Sequence, residues 1–153
     1  MRLFGPSLWS PSVALLVVGT ATTLLVFSLA SKVLPDRIAL LSSAAFLFIV
    51  VRYHLDATHH WYSTFAVLLS VNLIAERCTR WRLVAVGAIL AVATLFSSNR
   101  GVFALLGVAI FLAYSYGLSA RAAKSIALLS IPFVAILGGT VLWLSRDWVE
   151  TSR

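Results

Sequence analysis

The sequence predicts an all-α fold: a polytopic membrane helix bundle with about six transmembrane helices. Three observations carry this. Hydrophobic residues make up 61% of the chain and charged ones 11%, against roughly 25% charged in soluble domains. Mean hydropathy is +0.99. Apolar runs near the length of a bilayer crossing recur along the whole chain.

The elements follow in order. Residues 1–11, with Gly5-Pro6, Trp9 and Pro11, read as an interfacial lead-in. The first span is expected over 12–31, opening on Pro11, whose missing N–H is harmless in a first turn. Within it Thr20, Thr22 and Thr23 can bond back to carbonyls one turn earlier. The run is longer than a signal-peptide core of about 7–15 residues, so it reads as a retained helix. Pro35-Asp36 turns the chain into a second span at 38–53, and a third follows at 61–76. Asn72 in that third span is expected to hydrogen-bond between helices. A basic loop at 76–82 leads to a fourth span at 83–97, and Ser97-Ser98-Asn99-Arg100-Gly101 is expected as a tight turn. The fifth span covers 101–118, a basic loop 119–125, and the sixth span 126–145, where Pro132 and Gly138-Gly139 mark kinks or close packing. The helical domain is therefore 12–145, with a polar tail at 146–153.

The formal net charge is +7, but the cations form short clusters between apolar runs rather than one basic face. No nucleic acid partner is expected, and the clusters read as topology signals. Lys32, Arg37, Arg77, Arg80, Arg82, Arg121 and Lys124 fall on one side of the predicted bundle; Arg2, Arg52, Arg100, Arg146 and Arg153 fall on the other. The denser side should be cytoplasmic, which makes loops 32–37, 76–82 and 119–125 cytoplasmic in a cell (inner) membrane, with membrane lipid around the chain. The Arg77, Arg80, Arg82 cluster is also expected to touch anionic lipid. Both termini then lie outside, and a chain that starts outside reads as part of a longer or split one. Cys78 is the single cysteine, so no disulfide framework is available.

One polar island, Arg52 to Ser63, interrupts the apolar pattern and contains every histidine of the chain. Asp56, His59, His60 and Ser63 are spaced i, i+3, i+4, i+7, which would align them on one helical face. A carboxylate beside imidazoles can orient a general base, hold a substrate or bind a metal. The plainer reading is a helix cap followed by interfacial histidines and aromatics. Asp56, His59 and His60 are the candidate catalytic residues. No cofactor is expected; a divalent metal is the lesser alternative, since the i, i+4 histidine pair of helical metal sites is absent. Across the expected turn, Arg100 with Asn99, and Arg52 beside the island, suit a phosphate at the membrane surface. The competing reading is an arginine reaching to lipid headgroups.

Leu3-Phe4-Gly5-Pro6-Ser7-Leu8-Trp9, Ala39 to Phe48, Asp56 to Phe65, Ala85 to Ala93 and Ser97 to Val102 together resemble the middle of a bacterial membrane glycosyltransferase of the GT-C superfamily. The resemblance is to family 39, the protein O-mannosyltransferases, and to the aminoarabinose transferases. It implies transfer of a sugar from a polyprenyl-phosphate donor on the outer membrane face. Asp56, His59 and His60 would then lie beside donor or acceptor, and Arg52 or Arg100 on the lipid phosphate. Such enzymes carry an acidic residue in a first outer loop, whereas no acid precedes Asp36 here. The resemblance therefore implies a partial or split transferase, with a companion polypeptide supplying the first helix and loop. The alternative from the residues alone is a non-catalytic multi-pass protein, a small transport or assembly subunit.

Overall fold

A computed structural model of the protein describes residues 9–51, 59–117 and 119–151. These form helices joined by short links, with no strand among the described residues. The helices are α1 (Trp9–Ala30), α2 (Asp36–Phe46), α3 (His59–Glu76), α4 (Arg80–Phe96), α5 (Ser98–Tyr116) and α6 (Ala120–Thr151); a π-helical turn, Leu47–Val51, extends α2. Among the described residues, Val13–Ala30, Ser98–Tyr116 and Ala120–Arg146 are long and apolar enough to cross a membrane. Much of the apolar surface points outward: Leu16, Phe103, Ile110 and Val134 are exposed, as lipid-facing positions would be.

The helix α4 is the hub and packs against α3, α5 and α6, while α1 packs against α3 and α2. The reason is legible in its sequence. Leu83, Val86, Gly87, Leu90, Ala91 and Ala93 are buried at helical spacing, and small residues let neighbouring backbones come close. At Gly87 an added Cβ would overlap the Leu129 carbonyl and the Pro132 ring of α6. At Gly101 it would overlap Thr94 of α4. The core that results is built from Leu90, Leu112, Leu129 and Val86, all fully enclosed.

Polar groups inside α1 are satisfied as expected. Thr20, Thr22 and Thr23 donate to the carbonyls of Leu16, Val18 and Gly19 at 2.8, 2.7 and 2.9 Å. Asn72 ties α1 to α3: its Nδ2 donates to the Leu25 carbonyl at 2.9 Å, and its Oδ1 accepts from Ser28 at 2.8 Å and Lys32 at 3.1 Å. Lys32 and Arg82 also donate to the Asn72 and Leu73 carbonyls at 3.4 and 3.2 Å. Arg82 thus reaches a carbonyl in the last turn of α3, one of those that lack a helical partner.

Three local expectations change. The Ser97–Gly101 segment does not form a separate tight turn; Ser97 alone lies between α4 and α5, and Ser98, Asn99 and Arg100 form the first turn of α5. Ser97 achieves this with an extended backbone (φ −154°, ψ 99°) and a carbonyl that accepts from Arg100 N at 3.1 Å. The 119–125 segment is helical from Ala120, because Ser119 caps it: the Ala122 N–H meets Ser119 Oγ at 3.3 Å. The polar tail likewise continues α6 as far as Thr151, so that α6 has 32 residues. Pro132 does pack closely, against Gly87, whereas Gly138 and Gly139 face open space.

Candidate functional site

The starts of α3 and α5 lie together at one end of the bundle, and Arg100 joins them. Its Nη1 donates to the His60 carbonyl at 2.9 Å and to Thr64 Oγ1 at 2.7 Å. Thr64 Oγ1 itself donates to the same His60 carbonyl at 2.8 Å, and Ser63 Oγ does so at 2.9 Å. Beside this knot Tyr62 stacks on Phe96, the last residue of α4, with ring centroids 5.4 Å apart. The arrangement follows from chain direction: α3 and α5 run parallel through the bundle, each starting at this end.

The geometry fixes the arginine without exhausting it. A guanidinium carries five N–H donors, and these two bonds use one nitrogen. Nε and Nη2 present the remaining fork on an exposed residue. Asn99 stands next to it, also exposed, with its Oδ1 accepting from Ser98 Oγ at 3.4 Å.

Below Arg100 an apolar groove of about 360 Å³ runs between the two helices. Val67, Val71 and Ala75 of α3 form one wall; Ala104, Gly107 and Phe111 of α5 form the other. The register is continuous with the site. Arg100, Ala104, Gly107 and Phe111 follow one face of α5 at spacings of three and four, and His60, Thr64, Val67 and Val71 do the same on α3. A cation therefore stands at the head of a hydrocarbon-lined slot, one helical turn above its first lining residue.

The sequence-predicted residues fall out unevenly. His60, Asn99 and Arg100 share this end of the bundle, as the alternation of the expected helices implies. Arg52, Asp56 and the side chain of His59 lie outside the described residues. The single face expected for Asp56, His59, His60 and Ser63 is split where it is described: His60 is exposed, Ser63 is fully enclosed and Trp61 is buried rather than interfacial. Among the described residues no group of three or more His, Cys, Asp or Glu side chains is placed to hold a metal ion.

Sequence reasoning missed the α3–α5 groove and a second cluster at the opposite end. There Tyr116, Arg121 and Lys124 meet the link between α3 and α4. The signal that could have found it is the repeated pairing of a basic link with the start of a helix. No family model matches the chain, and neither a curated protein nor a solved structure matches it.

Proposed function

We propose that this chain is a multi-pass membrane protein that binds a lipid phosphate, with the phosphate at Arg100 and the hydrocarbon tail in the α3–α5 groove. The observation that carries this reading is the register of cation and slot on the same two helix faces. Guanidinium forks suit phosphate oxygens, and the groove suits an acyl or isoprenoid chain. The α5 amino terminus, with Ser98 and Asn99 in its first turn, adds N–H donors beside the guanidinium.

The resemblance to GT-C glycosyltransferases makes polyprenyl-phosphate sugar the leading ligand, with Asp56, His59 and His60 next to the reacting sugar. In this reading all six helices cross the inner membrane. The links at 31–35, 77–79 and 117–119 face the cytoplasm because they and their flanks hold most of the cations. The Arg100 end then faces outward, the side on which such donors are used.

A second reading, a non-catalytic transport or assembly subunit, draws on one observation: the Arg100 hydrogen bonds to His60 and Thr64 stay within the chain, as in a clamp between helices. Binding separates the two. Purified protein in phosphatidylcholine nanodiscs would be titrated with a fluorescent polyprenyl phosphate. The Arg100→Ala variant should lose about tenfold or more in affinity, the scale of one lost charge-assisted hydrogen bond. Gly107→Leu, which fills the groove from a glycine with open space above it, should weaken binding while the protein stays folded. Wild-type affinity in both variants rejects the lipid-phosphate site and leaves the subunit reading.

A further inference from the structure

The opposite end of the bundle holds a second, separate cavity. A cavity of about 310 Å³ opens where the link between α3 and α4 meets the end of α5 and the start of α6. That size is at the lower end of small-molecule sites, roughly 300–1,000 Å³. Three cations line it from two different helices: Arg80 at the start of α4, and Arg121 and Lys124 in the first turns of α6. Thr79 and Ser125 add hydroxyls, and among the described residues no carboxylate lines the cavity. The nearest acid of the α3–α4 corner, Glu76, is taken by Arg82 at 2.8 Å.

The cavity is held in shape by its own walls. The Arg121 guanidinium lies over the Tyr116 ring, 4.8 Å from its centroid. Stacking fixes the plane of the cation and leaves its N–H edge available. Leu83 closes the floor and is buried. Thr79, the residue before α4, makes no side-chain capping bond, so its hydroxyl does not occupy the first N–H groups of that helix. Three cations and two hydroxyls thus line walls that carry no carboxylate among the described residues. All three cations are exposed, so an anion can reach them from this end of the bundle.

We propose that this cavity is a binding site for a phosphate group carrying two negative charges. The phosphate is either that of a phosphomonoester lipid headgroup drawn from the adjacent leaflet or that of a soluble phosphate compound. Basic pockets between membrane helices take anionic headgroups on the same physical grounds. The site differs from that of Arg100 in its end of the molecule, its residues and its independence of the α3–α5 groove.

The test uses the full chain in nanodiscs. One arm contains phosphatidylcholine alone, a second adds a tenth of phosphatidic acid, and a third adds inorganic pyrophosphate to phosphatidylcholine alone. Thermal stability and lipid retention in native mass spectrometry are read for wild type, for Arg121→Gln with Lys124→Gln, and for Arg37→Gln with Arg77→Gln. The last pair removes the same charge from this end of the bundle but does not line the cavity. We expect phosphatidic acid or pyrophosphate to stabilise the wild type, and the cavity pair to lose about tenfold or more in apparent affinity. The Arg37 and Arg77 pair, which does not line the cavity, should keep it. Stabilisation by phosphatidic acid alone identifies a headgroup; equal stabilisation by pyrophosphate identifies a soluble ligand. Equal losses in both double variants, or no stabilisation in any arm, overturn the proposal. If the double variant fails to fold, Lys124→Gln by itself, which spares the Tyr116 stack, replaces it: a loss of affinity supports the site, and wild-type affinity overturns it.

Discussion

Arg100 spends one of its nitrogens on the chain and offers the rest outward, so its substitutions should separate two roles. Lysine has no fork and cannot hold the His60 carbonyl and Thr64 Oγ1 while also grasping a phosphate in two-point fashion. Arg100→Lys should therefore keep most of the folding stability but lose much of the affinity for lipid phosphate, measured as thermal midpoint against binding. Asn72 gives the opposite profile. It lies 5% exposed and engages Leu25, Ser28 and Lys32. Asn72→Leu should lower stability by about 0.6–1.7 kcal/mol, the range measured for hydrogen bonds between membrane helices, without changing ligand binding. Asn72 and the three threonines of α1 were legible in the sequence because a polar residue in an apolar helix has few ways to be satisfied. The partners of Arg100 were not, because His60 and Thr64 lie far from it along the chain and local periodicity says nothing about which helices become neighbours.

Helix identity was readable from hydropathy, while helix ends were not. The charged flanks at 80–82, 98–100 and 120–125 look like loops by composition, yet each continues a helix whose first turn they form. Long basic side chains are good helix formers, and short links between helices are completed by caps such as Ser119 rather than by runs of turn residues. Glycines show the same limit, since composition treats them alike and packing does not. Gly87 abuts α6, so Gly87→Leu should destabilise the bundle by about 1–3 kcal/mol through overpacking. Gly138 has open space about it, and Gly138→Ala should stabilise α6 by about 0.4–1 kcal/mol. Thermal or denaturant unfolding in detergent measures both.

The proposed orientation rests on the distribution of charge, and a labelling experiment reads it directly. In a Cys78→Ser background, a cysteine at Ser98 should react with an impermeant thiol reagent on intact cells, whereas one at Thr79 should react only after the cells are opened. The reverse pattern inverts the assignment and removes the outward-facing lipid-phosphate site with it. The six described helices are also unequal in length. With 18 and 17 residues, α3 and α4 reach about 27 and 26 Å, while the 32 residues of α6 reach about 48 Å. On the proposed six-span reading, a hydrocarbon layer about 30 Å thick fits neither: α6 would tilt or protrude, and lipid beside α3 would thin to meet it. On that reading the wall formed by α3 beside the Arg100 groove would stand in a dip of the leaflet. Headgroups beside the groove would then sit nearer the bilayer midplane, and a lipid phosphate would reach the Arg100 guanidinium with a shorter descent.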